Sequence, residues 1–437
     1  MTEVAEPLEA AAERGLLRNR AFLAIWSAQI LSQTAANAIT FTLIVLVAEL
    51  TKSNTQSSIL ILLAIAPAVV FGIVAGVVVD RTDRKRVLII TNIARALSVL
   101  PLLLFGHSVA MAYVVNFLVA AVTTFFVPAE SAALPSLVRK RDLMAANSLF
   151  TFTFNGAFLV GFILLAPIVI RIAGYDALFL TTAAMFTAAA ALCLTLPLAP
   201  QAHPHLGVEV AGAAVAQTRR GVGEALAYLR RSPQVAWALV YVALTYTLVA
   251  VAGALAPGYV REVLATDEKN VVILVAPAGV GVVAGIGLLN VFARRFGHSH
   301  AIGLGLGACF FALLSLAASR PLTELFRRVG TAELGEAFPF FVALTVVLAF
   351  VFGIAYAWVT VPAMTLIQEE LTDDMRGRVF GVLNMLVSVF SFLPLIVVGP
   401  IADLWGVAPV FVGFAAIVGA LWWLGRSVRK RIGAAAA

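Results

Sequence analysis

Twelve long apolar stretches divide this chain of 437 residues, and they constrain its fold more than any motif does. A helix needs about 20 apolar residues to cross the hydrocarbon core of a bilayer, and the stretches approach or exceed that length. Charged residues make up 12% of the chain, whereas soluble domains carry about 25%. The chain therefore has too little polar surface to enclose a water-soluble core. These observations predict an all-α polytopic membrane protein.

The predicted spans form two sets of six, separated by a polar segment. They lie near residues 22–50, 59–79, 87–106, 109–134, 143–170 and 175–197, and then near 234–260, 271–292, 301–319, 339–368, 378–402 and 408–425. The polar segment is the longest one that cannot span, and its end has the pattern of a basic amphipathic helix on a membrane surface. The predicted organisation is an N-terminal segment 1–21, a bundle 22–197, a linker 198–233, a bundle 234–425 and a tail 426–437.

The basic residues predict the orientation of the spans. Of the 30 lysines and arginines, 22 lie in the segments on the side of the N-terminus, 7 lie on the opposite side, and Arg95 lies inside a span. Cytoplasmic loops carry the excess of Lys and Arg in membrane proteins. We therefore expect a multi-pass protein of the inner (plasma) membrane with both termini in the cytoplasm.

The two halves of the chain resemble each other. The stretch "VPAESAAL" begins at Val127, and "VPAMTLIQ" begins at Val361, 234 residues later. In both places, Val-Pro-Ala near the end of a span precedes a short charged loop and another span. Internal duplication of this kind is typical of transporters, whose substrate site lies between the repeats.

Other classes of function find little support in the sequence. The five histidines all lie in loops, and Cys193 and Cys309 lie in apolar runs, so neither a metal site nor a disulfide framework is expected. A Gly-Lys-Ser phosphate loop is absent from the sequence. The net charge of +7 is spread over the loops and does not indicate a nucleic-acid partner. We expect no enzymatic activity and no cofactor.

A dense charged motif, "GVVVDRTDRKR", joins the second and third predicted spans. Together with "LLRNRAFLAIWSAQILSQ", "PAESAALPSLV" and "RGRVFGVLN", it resembles the major facilitator superfamily, and within it the drug–proton antiporter branch that includes macrolide and siderophore exporters. The resemblance implies 12 transmembrane helices in two pseudo-symmetric six-helix bundles. It also implies export of an amphipathic organic substrate by alternating access, coupled to proton influx.

The resemblance further implies that this motif forms part of a cytoplasmic latch. Asp80 would meet the N-terminus of span eleven, Arg84 would reach Glu130, and Gly76, one helical turn before Asp80, would allow another helix to approach closely. The whole implied latch comprises Gly76, Asp80, Arg81, Asp83, Arg84, Glu130, Gly377 and Arg378. The alternative is that the basic residues act only as a positive-inside anchor.

Uncharged polar and aromatic side chains in central spans are the candidate lining of a substrate cavity. They are Gln29, Gln33 and Asn37, spaced four residues apart in span one, Tyr241, Thr245 and Tyr246 in span seven, and Tyr356, Trp358 and Thr360 in span ten. Such groups either form hydrogen bonds between helices or contact substrate, and both interpretations stay open. A weakly polar cavity of this kind suits amphipathic molecules.

Proton coupling requires an acid whose protonation responds to its surroundings. Many relatives have Gly-Asp after the "LSQ" of span one, but this chain has Ala35 and Ala36. The remaining candidates are Glu130 and then Asp80. Acids near other helix ends, Asp176 and Asp403, are interpreted as ordinary interface residues. Arg95 is expected to pack against Asn92 or a neighbouring helix.

Two alternative functions remain. The first is a flippase or importer of the same fold for lysophospholipid or another lipid-like substrate, because the branch includes lysophospholipid transporters. The second is a ligand sensor without transport, which the intact charged motif disfavours. We expect a monomer whose partners are protons, the lipid bilayer and a small amphipathic substrate.

Overall fold

The computed structural model of the protein is almost entirely helical. It describes residues 16–105, 108–197, 223–224, 227–296, 298–329, 334–370, 390 and 392–426. The first six helices are α1 Arg20–Thr51, α2 Asn54–Arg81, α3 Arg84–Val99, α4 Val109–Leu137, α5 Leu143–Phe158 and α6 Ala166–Leu194. The other six are α7 Pro233–Glu262, α8 Val272–Phe296, α9 His298–Val329, α10 Leu334–Glu370, α11 Phe392–Trp405 and α12 Val407–Leu424.

The described helices largely coincide with the predicted spans. The described residues contain 10 stretches long and apolar enough to cross a membrane, and the shorter apolar helix α11 lies where span eleven is predicted. One stretch, Lys140–Leu194, has 55 residues and therefore exceeds the length that one crossing needs. It contains a π-helical turn, Leu159–Leu165, and a kink at Gly174, whose φ of 82° suits glycine. The predicted all-α architecture is confirmed.

The contacts divide the chain into two compact units. Unit 1 comprises Met1–Leu43 and Ala66–Val215, and unit 2 comprises Ile44–Ile65 and Ala216–Ala437. In unit 1, α3 packs against α4 and α6. In unit 2, α10 packs against α7, α8 and α9. The end of α1 and the start of α2 thus belong to the unit that contains the second half of the chain.

Capping side chains explain where α3 and α4 begin. Asp83 is the N-cap of α3, and its carboxylate accepts a hydrogen bond of 3.0 Å from the Lys85 N–H. Ser108 caps α4 in the same way through the Met111 N–H, at 3.2 Å. Side-chain oxygens at this position satisfy N–H groups that have no partner inside the helix.

Only part of the predicted linker helix lies within the described residues. Residues 223–224 and 227–231 are helical. The Tyr228 hydroxyl donates a hydrogen bond of 3.0 Å to the Glu370 carbonyl oxygen at the end of α10. This end of the linker is therefore tied to unit 2.

Candidate functional site

A buried arginine lies at the centre of unit 1. Arg95 is completely buried, and its Nη2 donates a hydrogen bond of 3.0 Å to Asn92 Oδ1, as predicted. Its guanidinium lies 4.1 Å from the centroid of the Phe126 ring and 5.0 Å from that of the Phe186 ring. Aromatic faces attract a cation and replace part of its lost hydration. A cation is therefore held in the interior of the helix bundle.

The carboxylate that faces this cation is Glu130. It lies on α4, is 5% exposed, and interacts electrostatically with Arg95. Three atoms of the pair are buried without a hydrogen-bond partner: Oε1 of Glu130, and Nε and Nη1 of Arg95. An incompletely satisfied charge pair in an apolar interior is costly, which marks it as a functional candidate.

The predicted pairing of Arg84 with Glu130 is absent from this structure. Arg84 Nη1 instead donates a hydrogen bond of 2.9 Å to the Ala132 carbonyl oxygen. The neighbouring Lys85 behaves similarly, donating to the Leu196 carbonyl oxygen at 2.8 Å. Carbonyl oxygens at the C-terminal ends of helices attract cations, because those ends carry partial negative charge.

Asn92 extends the buried network to α1. Its Oδ1 accepts a second hydrogen bond, of 3.1 Å, from the Ser32 hydroxyl. Its Nδ2 donates to the Leu88 carbonyl oxygen at 2.9 Å. The network therefore links α1 and α3 to the acid on α4. Ser32 was not among the predicted site residues, although it directly precedes Gln33 of the polar stripe.

Three other predicted latch residues, Asp83, Gly76 and Arg81, lie within the described part of α2 and at the start of α3. Asp83 makes local contacts as the cap of α3, including an ion pair of 3.5 Å with Arg86. No described atom lies within 4 Å of a Cβ built on Gly76, and the expected close approach of another helix there stays a prediction. Arg81 is the last residue of α2.

The central latch contact lies outside the described part of the chain. The side chain of Asp80 and the whole of Gly377 and Arg378 belong to the undescribed positions. The contact between Asp80 and span eleven therefore stays a prediction.

The polar stripe of α1 is mostly buried within unit 1. Gln29 is 3% exposed and donates a hydrogen bond of 3.3 Å to the Phe150 carbonyl oxygen on α5. Gln33 is 5% exposed, and the half-buried Asn37 donates to its carbonyl oxygen at 2.9 Å. Gln29 thus forms a hydrogen bond between helices. Substrate contact by Gln33 or Asn37 stays a prediction.

Two of the candidate cavity residues in unit 2 are packed away from solvent. Tyr241 is 0% exposed and packs on Trp237 with the ring centroids 5.7 Å apart. Thr245 is 1% exposed; its hydroxyl reaches the Tyr241 carbonyl oxygen at 3.0 Å and the Thr360 hydroxyl at 3.0 Å. Their predicted role as cavity lining is wrong for this structure. The apolar surroundings require these polar groups to bind partners inside the protein.

Two tyrosines in the same unit remain accessible. Tyr246 is 38% exposed, and its ring meets that of the half-buried Tyr356 edge-on, with the centroids 6.4 Å apart. The Tyr356 hydroxyl also interacts with Tyr246 and Thr360. Trp358 links α10 to α8, because its indole N–H donates a hydrogen bond of 3.0 Å to the Gly285 carbonyl oxygen. We call the two accessible residues the tyrosine pair.

Sequence analysis also missed a polar cluster around the turn between α1 and α2. Asp403 accepts hydrogen bonds from Ser53, Asn54 and Thr55. The sequence did indicate that a helix begins here, because "SNT" at 53–55 is typical of a helix N-terminus. The first N–H groups of such a helix need hydrogen-bond acceptors. Asp403 lies at the end of a different span, so its hydrogen bonds to this turn could not be predicted from the sequence.

Comparison with known proteins decides the family. The sequence model of the Major Facilitator Superfamily matches residues 25–393. The chain belongs to the Major Facilitator Superfamily. This superfamily member is a multi-pass membrane transporter rather than an enzyme, since the proteins related to it are transporters.

Three relatives indicate the branch of the superfamily. The chain is 22% identical over 363 residues to the uncharacterized MFS-type transporter YfiS of Bacillus subtilis, covering 83% of this chain and 82% of that protein. It is 26% identical over 383 residues to the multidrug efflux pump Tap of Mycolicibacterium fortuitum, covering 85% and 86%. A shorter match, 36% identical over 126 residues, relates 28% of the chain to 31% of macrolide efflux protein A of Streptococcus pyogenes.

Solved structures support the same fold. The crystal structure of a point mutant of the nucleoside transporter NupG matches with a TM-score of 0.70. The match covers 92% of this chain and 98% of that one, at 14% sequence identity. Identity this low supports the fold alone. The chain is therefore a polytopic helical transporter of the Major Facilitator Superfamily.

Proposed function

We propose that this superfamily member exports amphipathic organic molecules across the plasma membrane by alternating access, in exchange for protons. The observation that carries the proposal is its similarity to a multidrug efflux pump over 85% of the chain. The shorter match to a macrolide efflux protein supports the same class of substrate. The excess of basic residues in alternate loops supports cytoplasmic termini, with residues 51–55 at the outer face.

The tyrosine pair supports an amphipathic substrate. Tyr246 and Tyr356 combine an exposed ring, a half-buried ring and two hydroxyl groups. Tyrosine offers a large apolar surface and one polar group, which suits a molecule that is itself partly apolar. Pockets for such molecules are mostly apolar and contain a few polar groups that fix the orientation of the ligand.

Glu130 supports coupling to protons. Among the described residues, the buried carboxylates are Glu130 and Glu268, and of these Glu130 lies within a predicted span. Apolar burial favours a neutral carboxyl group, whereas the nearby Arg95 favours a charged one. A change in the distance between them, or in the access of water to them, would therefore alter the balance between the two protonation states of Glu130. Substrate-driven movement of the helices would provide that change.

Transport by purified protein in liposomes tests this function. Vesicles carrying an imposed pH gradient are supplied with a macrolide, a fluorescent amphipathic cation, or a headgroup-labelled lysophospholipid. We expect the gradient to drive accumulation of the macrolide or the cation, and a protonophore to abolish it. Accumulation of the lysophospholipid alone would favour the lipid-transport alternative. Transport that is indifferent to the pH gradient would contradict proton exchange.

Substitution of the tyrosine pair tests the substrate site. Tyr246→Leu and Tyr356→Phe should each raise the KM for substrate about two- to tenfold, the size of one aromatic or hydrogen-bond contact. The maximal rate should change little, because neither residue is proposed to carry protons. Tyr241→Phe is the matched control, since Tyr241 is buried. Equal KM values in all three variants and the wild type would exclude the tyrosine pair from the site.

A further inference from the structure

The carboxylate at the end of α11 caps the start of α2. Asp403 Oδ1 accepts a hydrogen bond of 2.6 Å from the Asn54 N–H. Its Oδ2 accepts three more: from the Ser53 hydroxyl at 2.6 Å, the Thr55 N–H at 3.0 Å and the Thr55 hydroxyl at 2.6 Å. The first N–H groups of a helix have no partner inside it and carry partial positive charge. One side chain from a distant helix therefore satisfies the first two N–H groups of α2.

The turn itself has an unusual backbone conformation. Lys52 has a φ of 53°, in the left-handed region that residues other than glycine rarely adopt. Its Nζ lies 2.8 Å from Oε2 of Glu268, which is 4% exposed in its side chain, and Arg261 Nη1 lies 3.6 Å from Oε1 of the same carboxylate. Strain of this kind persists only where the surrounding contacts impose it. The ion pair of Lys52 with Glu268 is such a contact.

Two glycines permit the close approach of this turn to α7 and α11. A Cβ at Gly399 on α11 would lie 2.6 Å from Thr55 Cα and 2.8 Å from Ser58 Oγ. A Cβ at Gly258 on α7 would collide with the side chain of Asn54. Asn54 Nδ2 in turn donates a hydrogen bond of 3.3 Å to Glu262 Oε1. The start of α2 is therefore held by charge, by hydrogen bonds and by backbone packing together.

We propose that Asp403 is a positioning residue for transport: it clamps the α1–α2 turn onto α11 and so holds the outer face of the transporter closed. The inference deepens the proposed function and rests on it for the alternation of two states. The contact can be reversible, because one exposed carboxylate accepts all four hydrogen bonds. Water can take its place as the acceptor when the contact opens. Opening the outer face would release the turn and hydrate both partners.

The proposed clamp complements the latch predicted at the other end of the same helices. At the inner end, Asp80 of α2 is predicted to meet the start of span eleven; at the outer end, Asp403 of α11 meets the start of α2. Residues 54 and 80 of α2 are about 39 Å apart along the helix axis. Closing one contact and opening the other would tilt α2 between two positions, which is the movement that alternating access requires.

Cysteine accessibility tests the clamp without a substrate. Ser58→Cys is introduced into a Cys193→Ala, Cys309→Ala background, since Ser58 is 1% exposed and lies against Gly399. A membrane-impermeant maleimide is then added to intact cells and, separately, to inverted vesicles. Adding Asp403→Asn should raise the labelling rate in intact cells about tenfold, because the amide loses a charge and one acceptor. Thr55→Val should raise the labelling rate by a smaller factor. It tests the same contact independently if Asp403→Asn folds poorly.

The matched control is Asp267→Asn, an acid in the same unit. Asp267 is exposed and caps its own helical turn through the Lys269 N–H at 2.8 Å, a role that asparagine fills equally well. Labelling should match the wild type in this variant. Unchanged labelling in Asp403→Asn and Thr55→Val would overturn the clamp, and labelling only in inverted vesicles would overturn its outer location. Because the assay needs no substrate, failure of drug transport alone would instead contradict the proposed function.

Discussion

Replacing Glu130 with Gln is expected to reduce gradient-driven transport to the level of protein-free liposomes. Glutamine keeps the size of the side chain and its ability to accept a hydrogen bond, but it cannot exchange a proton. Losing the Glu130 charge should lower the stability, but less than losing Arg95 would, because Arg95 retains its hydrogen bond to Asn92 and its two aromatic contacts. Substrate should still bind and should still exchange across the membrane when present on both sides. Counterflow of labelled substrate measures this exchange directly.

The control for this substitution is Asp142→Asn. Asp142 lies in the short turn between α4 and α5, in the same unit, and its side chain is partly exposed. Its neutralisation removes the same charge without touching the buried network. We expect full gradient-driven transport from this variant. If Glu130→Gln also transports fully, Glu130 is not the proton carrier.

Replacing Arg95 with Met should strongly destabilise the protein. The change removes the cation that faces Glu130 and leaves a buried carboxylate without compensation. Breaking one side of a buried charge pair costs about 3–5 kcal/mol. Methionine approximates the volume of the arginine stem, so the loss should reflect charge more than packing. The temperature at which the purified protein loses its monodisperse peak in detergent provides the measurement.

The double variant Arg95→Met, Glu130→Gln makes this prediction specific. Removal of both charges should recover much of the lost stability, because no uncompensated charge then remains in the interior. The double variant should nevertheless be inactive in proton-driven transport. If it is no more stable than Arg95→Met alone, the two side chains do not form an energetic pair. Stability of Arg95→Met equal to the wild type would lead to the same conclusion.

Hydropathy and local spacing predicted most of the fold. The predicted span 234–260 corresponds to α7, Pro233–Glu262, because the length of an apolar run is a direct consequence of bilayer thickness. The contact between Arg95 and Asn92 was also predictable, since residues three apart lie on the same face of a helix. Both inferences depend on neighbours in the sequence.

The rotation of each helix about its axis could not be predicted in the same way. Tyr241 and Tyr246 lie on the same apolar helix, yet Tyr241 is 0% exposed and Tyr246 is 38% exposed. A helix that is apolar on all sides contains little information about which face it buries. The tyrosine pair was therefore separable from its buried neighbours only in three dimensions.

Contacts between segments far apart in the chain were the other feature that could not be predicted from the sequence. Ser53 and Asp403 are 350 positions apart, and each by itself has the pattern of an ordinary residue at a helix end. Arg84 illustrates the same difficulty, because both the Ala132 carbonyl oxygen and Glu130 lie near the same end of α4. The choice between them depends on the faces that α3 and α4 present to each other.

Proton movement driven by substrate is the most direct measurement of the proposed exchange. Liposomes containing the purified transporter and an internal pH dye are given a gradient of substrate, with equal pH on both sides. We predict that substrate flow in one direction moves protons in the other, and that Glu130→Gln abolishes this movement while counterflow continues. Substrate transport by the wild type without any proton movement, or equal proton movement in Glu130→Gln, would contradict the account.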